Sequence, residues 1–227
     1  MSDPGEQAPR GGQVPDGWPP PEPATSGRPT SGRIVPLFPL PNVFLFPSTV
    51  MPLHIFEPRY RRMIEDSLDG PGRLVLGTVL EGHHDELAGA PPVHHVAGLG
   101  EIARHERLPD GRFVVMIVGL ARVLIREVPS AHLYRQVEAI PLREVPPSDG
   151  ETAKLRKKLR EAVLCRTPDL KDKPEKLPGT MPIGHLTDLL LLRLQLPQSA
   201  MQDLFSCLKV ADRARRALAE HARRPVA

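Results

Sequence analysis

Three regimes of hydrophobic and polar patterning divide the chain. Residues 1–32 hold Pro, Gly, Ser and Gln with almost no aliphatic side chains. Such a segment cannot bury enough surface to offset the entropy of ordering it, so it reads as a disordered tail. Its PPPEP run at 19–23 is a candidate ligand for a polyproline reader, with a solvated extension as the simpler reading. From Ile34 the chain turns apolar, broken by prolines at 36, 39, 41, 47 and 52. Proline cannot donate to a sheet ladder, which confines this stretch to edge strands, first strand positions and turns. At Glu57-Pro58 the period changes. Pro58 suits the first turn of a helix. Tyr60, Met63, Ile64 and Leu68 then share one face, while Arg59, Arg61, Arg62, Glu65 and Asp66 turn mostly to water.

A second regime, strand-like, follows. RLVLGTVL at 73–80 reads as a buried strand, EGHHDELAGAPP at 81–92 as a loop, and Val93 to Arg107 as a strand region. Gly98 and Gly100 suggest a bulge or bend there. Leu108-Pro-Asp-Gly111 is a tight turn. RFVVMIVGLARVLI at 112–125 is a long strand with a bend expected at Gly119, and YRQVEAIPL at 134–142 is another. Strands joined by short polar turns, with one helix, predict a small, mostly antiparallel barrel.

Composition changes at Pro146-Pro-Ser-Asp-Gly150, and the third regime is helical. Leu155, Leu159, Ala162 and Val163 line a first helix; 167–182 is a loop. His185 to Leu194 is a leucine-rich second helix. Pro197 opens a third, through Met201, Leu204, Phe205 and Leu208. A fourth begins near Val210, with Ala214, Leu218 and His221 on one side and arginines elsewhere. The expected class is α+β: a tail over 1–32, a barrel over 33–145 and a helical bundle over 146–227.

Composition narrows the function. A chain of 227 residues with 40% hydrophobic and 25% charged residues can bury a core. Aromatics at 4% leave few platforms for stacking single-stranded nucleic acid, and a net charge of +3 is too small to argue for a phosphate partner. Cys165 and Cys207 read as two reduced thiols. The start of the chain lacks an apolar signal-peptide core, and LLLLRLQL at 189–196 is too short for a membrane span, so a cytoplasmic protein is expected.

Catalytic motifs fail on context. Gly98-Leu-Gly-Glu-Ile-Ala103 has the form of a dinucleotide loop, but Leu108-Pro-Asp-Gly111 breaks the chain where a long helix is needed. Ser206-Cys-Leu-Lys209 has the S-x-x-K spacing without its companion elements. His83, His84, Asp85, Glu86, His94 and His95 crowd one region, but adjacent histidines point different ways and no motif fixes a zinc geometry, so neither metal nor cofactor is expected. Arg213, Arg215, Arg216, Arg223 and Arg224 make a basic face on the last helix, by default a solvated one. Arg59, Arg61 and Arg62 oppose the dipole at a helix start, which suggests that some of them hold the barrel loops or meet a partner's carboxylates.

PLFPLPNVFLFPSTVMPLHIFEPRYRRMIEDSL at 36–68 resembles the opening of the N-terminal, substrate-recognition domain of Lon-type ATP-dependent proteases. The resemblance continues through Gly77-Thr-Val-Leu80, Gly98-Leu-Gly-Glu-Ile102, Leu108-Pro-Asp-Gly-Arg-Phe113 and Gly119-Leu-Ala-Arg-Val123. In the helical half it runs through Leu186-Thr-Asp188, Leu194-Gln-Leu196, Met201-Gln-Asp-Leu-Phe205 and Asp212-Arg213. It implies a PUA-like pseudobarrel followed by a helical bundle. It also implies a non-catalytic module, similar to Lon-domain proteins that carry the recognition part alone, since no Walker loop or convincing catalytic set occurs in this sequence.

The expected function is recognition of exposed apolar segments of unfolded polypeptides, or of a partner protein. The expected contact surface lies around Phe38, Phe44, Leu45, Phe46 and Met51, with Arg59 and Arg62 on its polar rim. RNA binding is the alternative, by analogy with other PUA-like barrels.

Overall fold

A computed structural model describes residues 32–170, 173 and 177–225; the expectations for the tail at 1–31 lie outside the described residues. Six strands form one mixed sheet: β1 (Arg33–Leu40), β2 (Val50–Ile55), β3 (Arg73–Thr78), β4 (Val96–Arg107), β5 (Phe113–Val128) and β6 (Gln136–Pro141). The spatial order is β2-β5-β4-β3-β1-β6, and an added β5–β6 pairing closes β1, β3, β4, β5 and β6 into a barrel. β1 and β3 are parallel; every other pair is antiparallel.

The prolines are accommodated by division of labour. Arg33 to Pro36 pair with β6, and Leu37 to Leu40 pair with β3. Each half of β1 therefore has one free side, and Pro36 and Pro39 sit where a missing N–H breaks no continuous ladder. β5 is long enough to serve two partners on one edge: its first half pairs with β2 and its second half with β6. The bend expected at Gly119 is present as a register shift against Leu99 and Gly100.

Helix α1 (Pro58–Leu68) starts at Pro58 as the sequence predicts and closes one side of the barrel. Its Tyr60, Met63 and Ile64 pack into a core with Phe38, Leu45, Ile55, Phe113 and Ile117. The helical half comprises α2 (Asp149–Arg166), α3 (Ile183–Leu191), α4 (Gln198–Phe205) and α5 (Val210–Arg223). Their inward leucines form a second core, in which Phe44 and Phe46 of the barrel half also lie. Pro197 caps α4 from outside rather than occupying its first turn. No helix among the described residues is long and apolar enough to cross a membrane.

Candidate functional site

The segment expected to form the contact surface is instead the joint between the two halves. The side chains of Phe44, Leu45 and Phe46 alternate between the two cores. Phe44 and Phe46 enter the helical core, with ring centroids 5.7 and 5.1 Å from that of Phe205. Leu45 points into the barrel core. Phe44, Leu45 and Phe46 are buried core residues and Met51 is half-buried, while Phe38, also buried, borders a cleft described below. The physical reason for the burial of Phe44 and Phe46 is that the chain supplies its own partner: α4 covers the rings that the barrel alone would leave open. Glycines permit the approach. A Cβ on Gly119 would lie 2.0 Å from the Phe46 carbonyl oxygen, and one on Gly98 would lie 2.4 Å from that of Leu45. One on Gly100 would lie 2.6 Å from Leu45 Cδ2, so close packing against Leu45 accounts for the Gly98-x-Gly100 spacing that imitates a nucleotide loop.

Beside this joint lies a buried ionic cluster. Arg122 of β5 is 1% exposed, Arg213 of α5 is 0% and Asp188 of α3 is 2%. Arg122 donates from Nη2 to Asp188 at 2.8 Å, from Nη1 to Glu144 at 2.6 Å and from Nε to the Phe205 carbonyl at 2.7 Å. Its guanidinium lies over the rings of Phe46 and Phe205. Arg213 donates to Glu144 at 2.7 Å and to the Cys207 carbonyl at 2.5 Å. Its Nε is 3.2 Å from the Asp188 carboxylate but too far off line to make a hydrogen bond. Burial pushes the Asp188 carboxyl up, and the two guanidinium groups pull it back. Two cations and two carboxylates neutralise one another, the condition for burying charge at all.

Arg213 was expected on a solvated basic face and is at the centre of this cluster. Three other arginines in or just after α5 are also engaged, Arg215 with Glu151 and Asp212, and Arg223 and Arg224 with Glu220, whereas Arg216 is exposed. A basic face for phosphate is thereby largely neutralised. Sequence reasoning missed Arg122, Asp188 and Glu144 as partners. A usable signal was present: Arg122 and Asp188 are lone, opposite charges inside apolar runs.

Arg59 behaves as one of the two anticipated possibilities. Its guanidinium binds Glu57, the Gly89 carbonyl at 2.8 Å and the Leu87 carbonyl, tying down the 81–92 loop. Arg61 reaches the Asp110 carbonyl at 3.3 Å. Arg62 is exposed and pairs with Asp66 at 2.9 Å, and Glu65 pairs with Arg107 at 3.3 Å. In the histidine-rich region the rings take separate partners: His83 pairs with Glu86 at 2.7 Å and His84 with Gln198 at 3.2 Å. Among the described residues no three His, Cys, Asp or Glu side chains converge as a metal-binding group.

Two surface concavities adjoin these residues. A cleft of about 720 Å³ lies between the halves, lined by Pro47, Arg143, Pro147, Arg156 and His185 above Glu144 and Asp188. Its lining mixes prolines, Ile183 and Val210 with these charged groups, and burial holds the His185 imidazole below its usual range. The second, about 190 Å³, lies where the end of β1 faces the end of β2. Phe38, Leu40, Leu53, Ile55 and Tyr60 line it, Leu87 borders it, and Phe56 stands at its rim with 55% of its surface exposed. An exposed phenylalanine beside an apolar cleft offers water an aromatic ring and a socket together.

This architecture, a barrel with one crossing helix locked to a helical bundle, is that of Lon N-terminal domains. The N-terminal domain of a Mycobacterium avium complex Lon protease superposes with a TM-score of 0.63 at 16% identity, covering 84% of this chain and 98% of that one. A Lon N-terminal domain protein from Xanthomonas campestris gives 0.59 at 19% identity, covering 82% and 98%. The chain belongs to the family of the ATP-dependent protease La (LON) substrate-binding domain, whose model matches residues 34–220. Among curated relatives, Lon protease of Brevibacillus choshinensis is 25% identical over 82% of this chain and Lon protease 2 of Sorangium cellulosum is 29% identical over 78%. The chain spans about a quarter of the length of these proteases, 24% and 23%.

Proposed function

We propose that the protein is a non-catalytic recognition module that binds exposed apolar segments of unfolded polypeptides. The observation that supports this most is the exposed Phe56 beside the cleft between β1 and β2. Apolar side chains of a client would be buried there at about 25 cal/mol per Å², before ordering costs are subtracted. Pro39 and Pro41 on one wall, and Pro52 in the strand that supplies the other, restrict backbone freedom and so reduce the entropy lost on binding. Membership of a substrate-binding family is consistent with the same reading.

The test is fluorescence anisotropy of a labelled, permanently unfolded polypeptide titrated with the protein, at two salt concentrations and with structured RNA as competitor. Saturable binding that resists salt and RNA is expected. Phe56→Ala should weaken it about threefold or more while leaving the melting temperature within about 2 °C, because an exposed ring contributes little to the fold. Absence of polypeptide binding by the wild type would defeat the proposal.

A further inference from the structure

Strand β2 ends the sheet order, so among the described residues one of its edges has no strand neighbour. The register shows which groups face that edge. Gly119 N–H donates to the Thr49 carbonyl at 2.9 Å, and Thr49 is therefore a hydrogen-bonded position of the β2–β5 ladder. Bonded and non-bonded pairs alternate in an antiparallel ladder. Met51 opposite Ile117, Leu53 opposite Val115 and Ile55 opposite Phe113 then point their main-chain groups at β5. Val50, Pro52 and His54 point theirs outward. Pro52 fits this phase, because its missing donor falls on the free side. The outer edge therefore offers two N–H groups, of Val50 and His54, and three carbonyls.

The apolar cleft lies against the end of this edge, with Leu53, His54 and Ile55 on one wall and Phe38 to Pro41 on the other. At about 190 Å³ it holds about six water volumes of ~30 Å³, room for one large apolar side chain. Pro39 and Pro41 lack donors, which keeps the end of β1 from closing onto β2.

We propose that β2 binds an extended polypeptide by strand addition: the client's main chain pairs with Val50 and His54, and one of its bulky apolar side chains enters the cleft beside Phe56. The occupant is identified by complementarity. Donors and acceptors at two-residue spacing match an extended main chain, and an adjacent one-side-chain socket sets where along it the client docks. Pro52, in the middle of the edge, limits indiscriminate pairing between copies. This inference rests on the polypeptide-recognition reading above and specifies its geometry.

The test separates the two. His54→Pro removes an outward N–H without touching the β5 ladder, and His54→Ala keeps it. With the same labelled unfolded polypeptide, His54→Pro should bind about three- to tenfold more weakly than His54→Ala, the range of one main-chain hydrogen bond, because both variants lose the imidazole from the cleft wall and only one loses the N–H. Should circular dichroism show that His54→Pro does not fold, the wild type is titrated instead with a short phenylalanine-containing peptide and with its twin N-methylated at alternate backbone nitrogens. The twin should bind more weakly. Equal affinity of the two variants, or of the two peptides, overturns strand addition and leaves apolar recognition standing. No binding of any polypeptide by the wild type overturns both.

Discussion

Arg122 and Arg213 approach the same oxygen, Oδ1 of Asp188, at 2.8 and 3.2 Å. One arginine comes from the barrel and the other from the bundle's last helix, so a single carboxylate joins the two halves. Glu144, in the connection between β6 and α2, accepts from both arginines as well. The connection is held further by Val145, which forms a parallel bridge with Lys209.

Asp188→Ala is expected to cost about 3–5 kcal/mol, because it leaves two buried guanidinium groups with one carboxylate between them. Equilibrium urea denaturation measures this. Wild type should unfold in one transition, since the barrel and bundle share the cluster and the Phe44–Phe46 joint. A loss below about 1 kcal/mol would show that the cluster adds little to the joint.

Phe46→Ala should destabilise by about 3–5 kcal/mol, the usual range for a buried phenylalanine. The ring is fully buried against Phe205 and under Arg122. A variant with unchanged melting temperature and weakened polypeptide binding would return Phe46 to the surface.

Gly119→Ala should be poorly tolerated although it adds only one methyl group. The new Cβ would meet the Phe46 carbonyl at 2.0 Å, and the neighbouring atom is main chain that cannot rotate away. A loss of at least about 1–3 kcal/mol is expected. Gly179→Ala, where nothing lies within 4 Å, is the matched control and should change the melting temperature little.

Both tyrosines should resist ionisation. Burial is the main cause at each; at Tyr134 the phenol also donates to Asp66 at 3.0 Å, and its pKa is pushed up to about 12. A pKa raised in the folded state favours the protonated phenol. The resulting stability is fully present below the unfolded value near 10 and is lost as pH rises through about 12. An ultraviolet titration of the native protein should therefore show no tyrosinate near pH 10, followed by ionisation together with unfolding. Reversible ionisation near pH 10 with the fold intact would contradict the burial of both rings.

The sequence by itself determined the local elements. Pro58 and the face of Tyr60, Met63 and Ile64 set α1, the prolines split β1, and the residue order carried the family resemblance. These are short-range matters: a proline lacks its donor and a helix repeats every 3.6 residues whatever surrounds them. Tertiary structure alone decided what covers what. Phe44 and Phe46 look like a binding surface until α4 is laid over them, and Arg213 looks solvated until Arg122 and Asp188 meet it. Arg122 and its acceptor at Phe205 are 83 residues apart, so no local window contains both. The free edge of β2 is likewise a property of topology. Only the pairing of β5 with both β2 and β6 leaves it unmatched, and with it the cleft beneath Phe56.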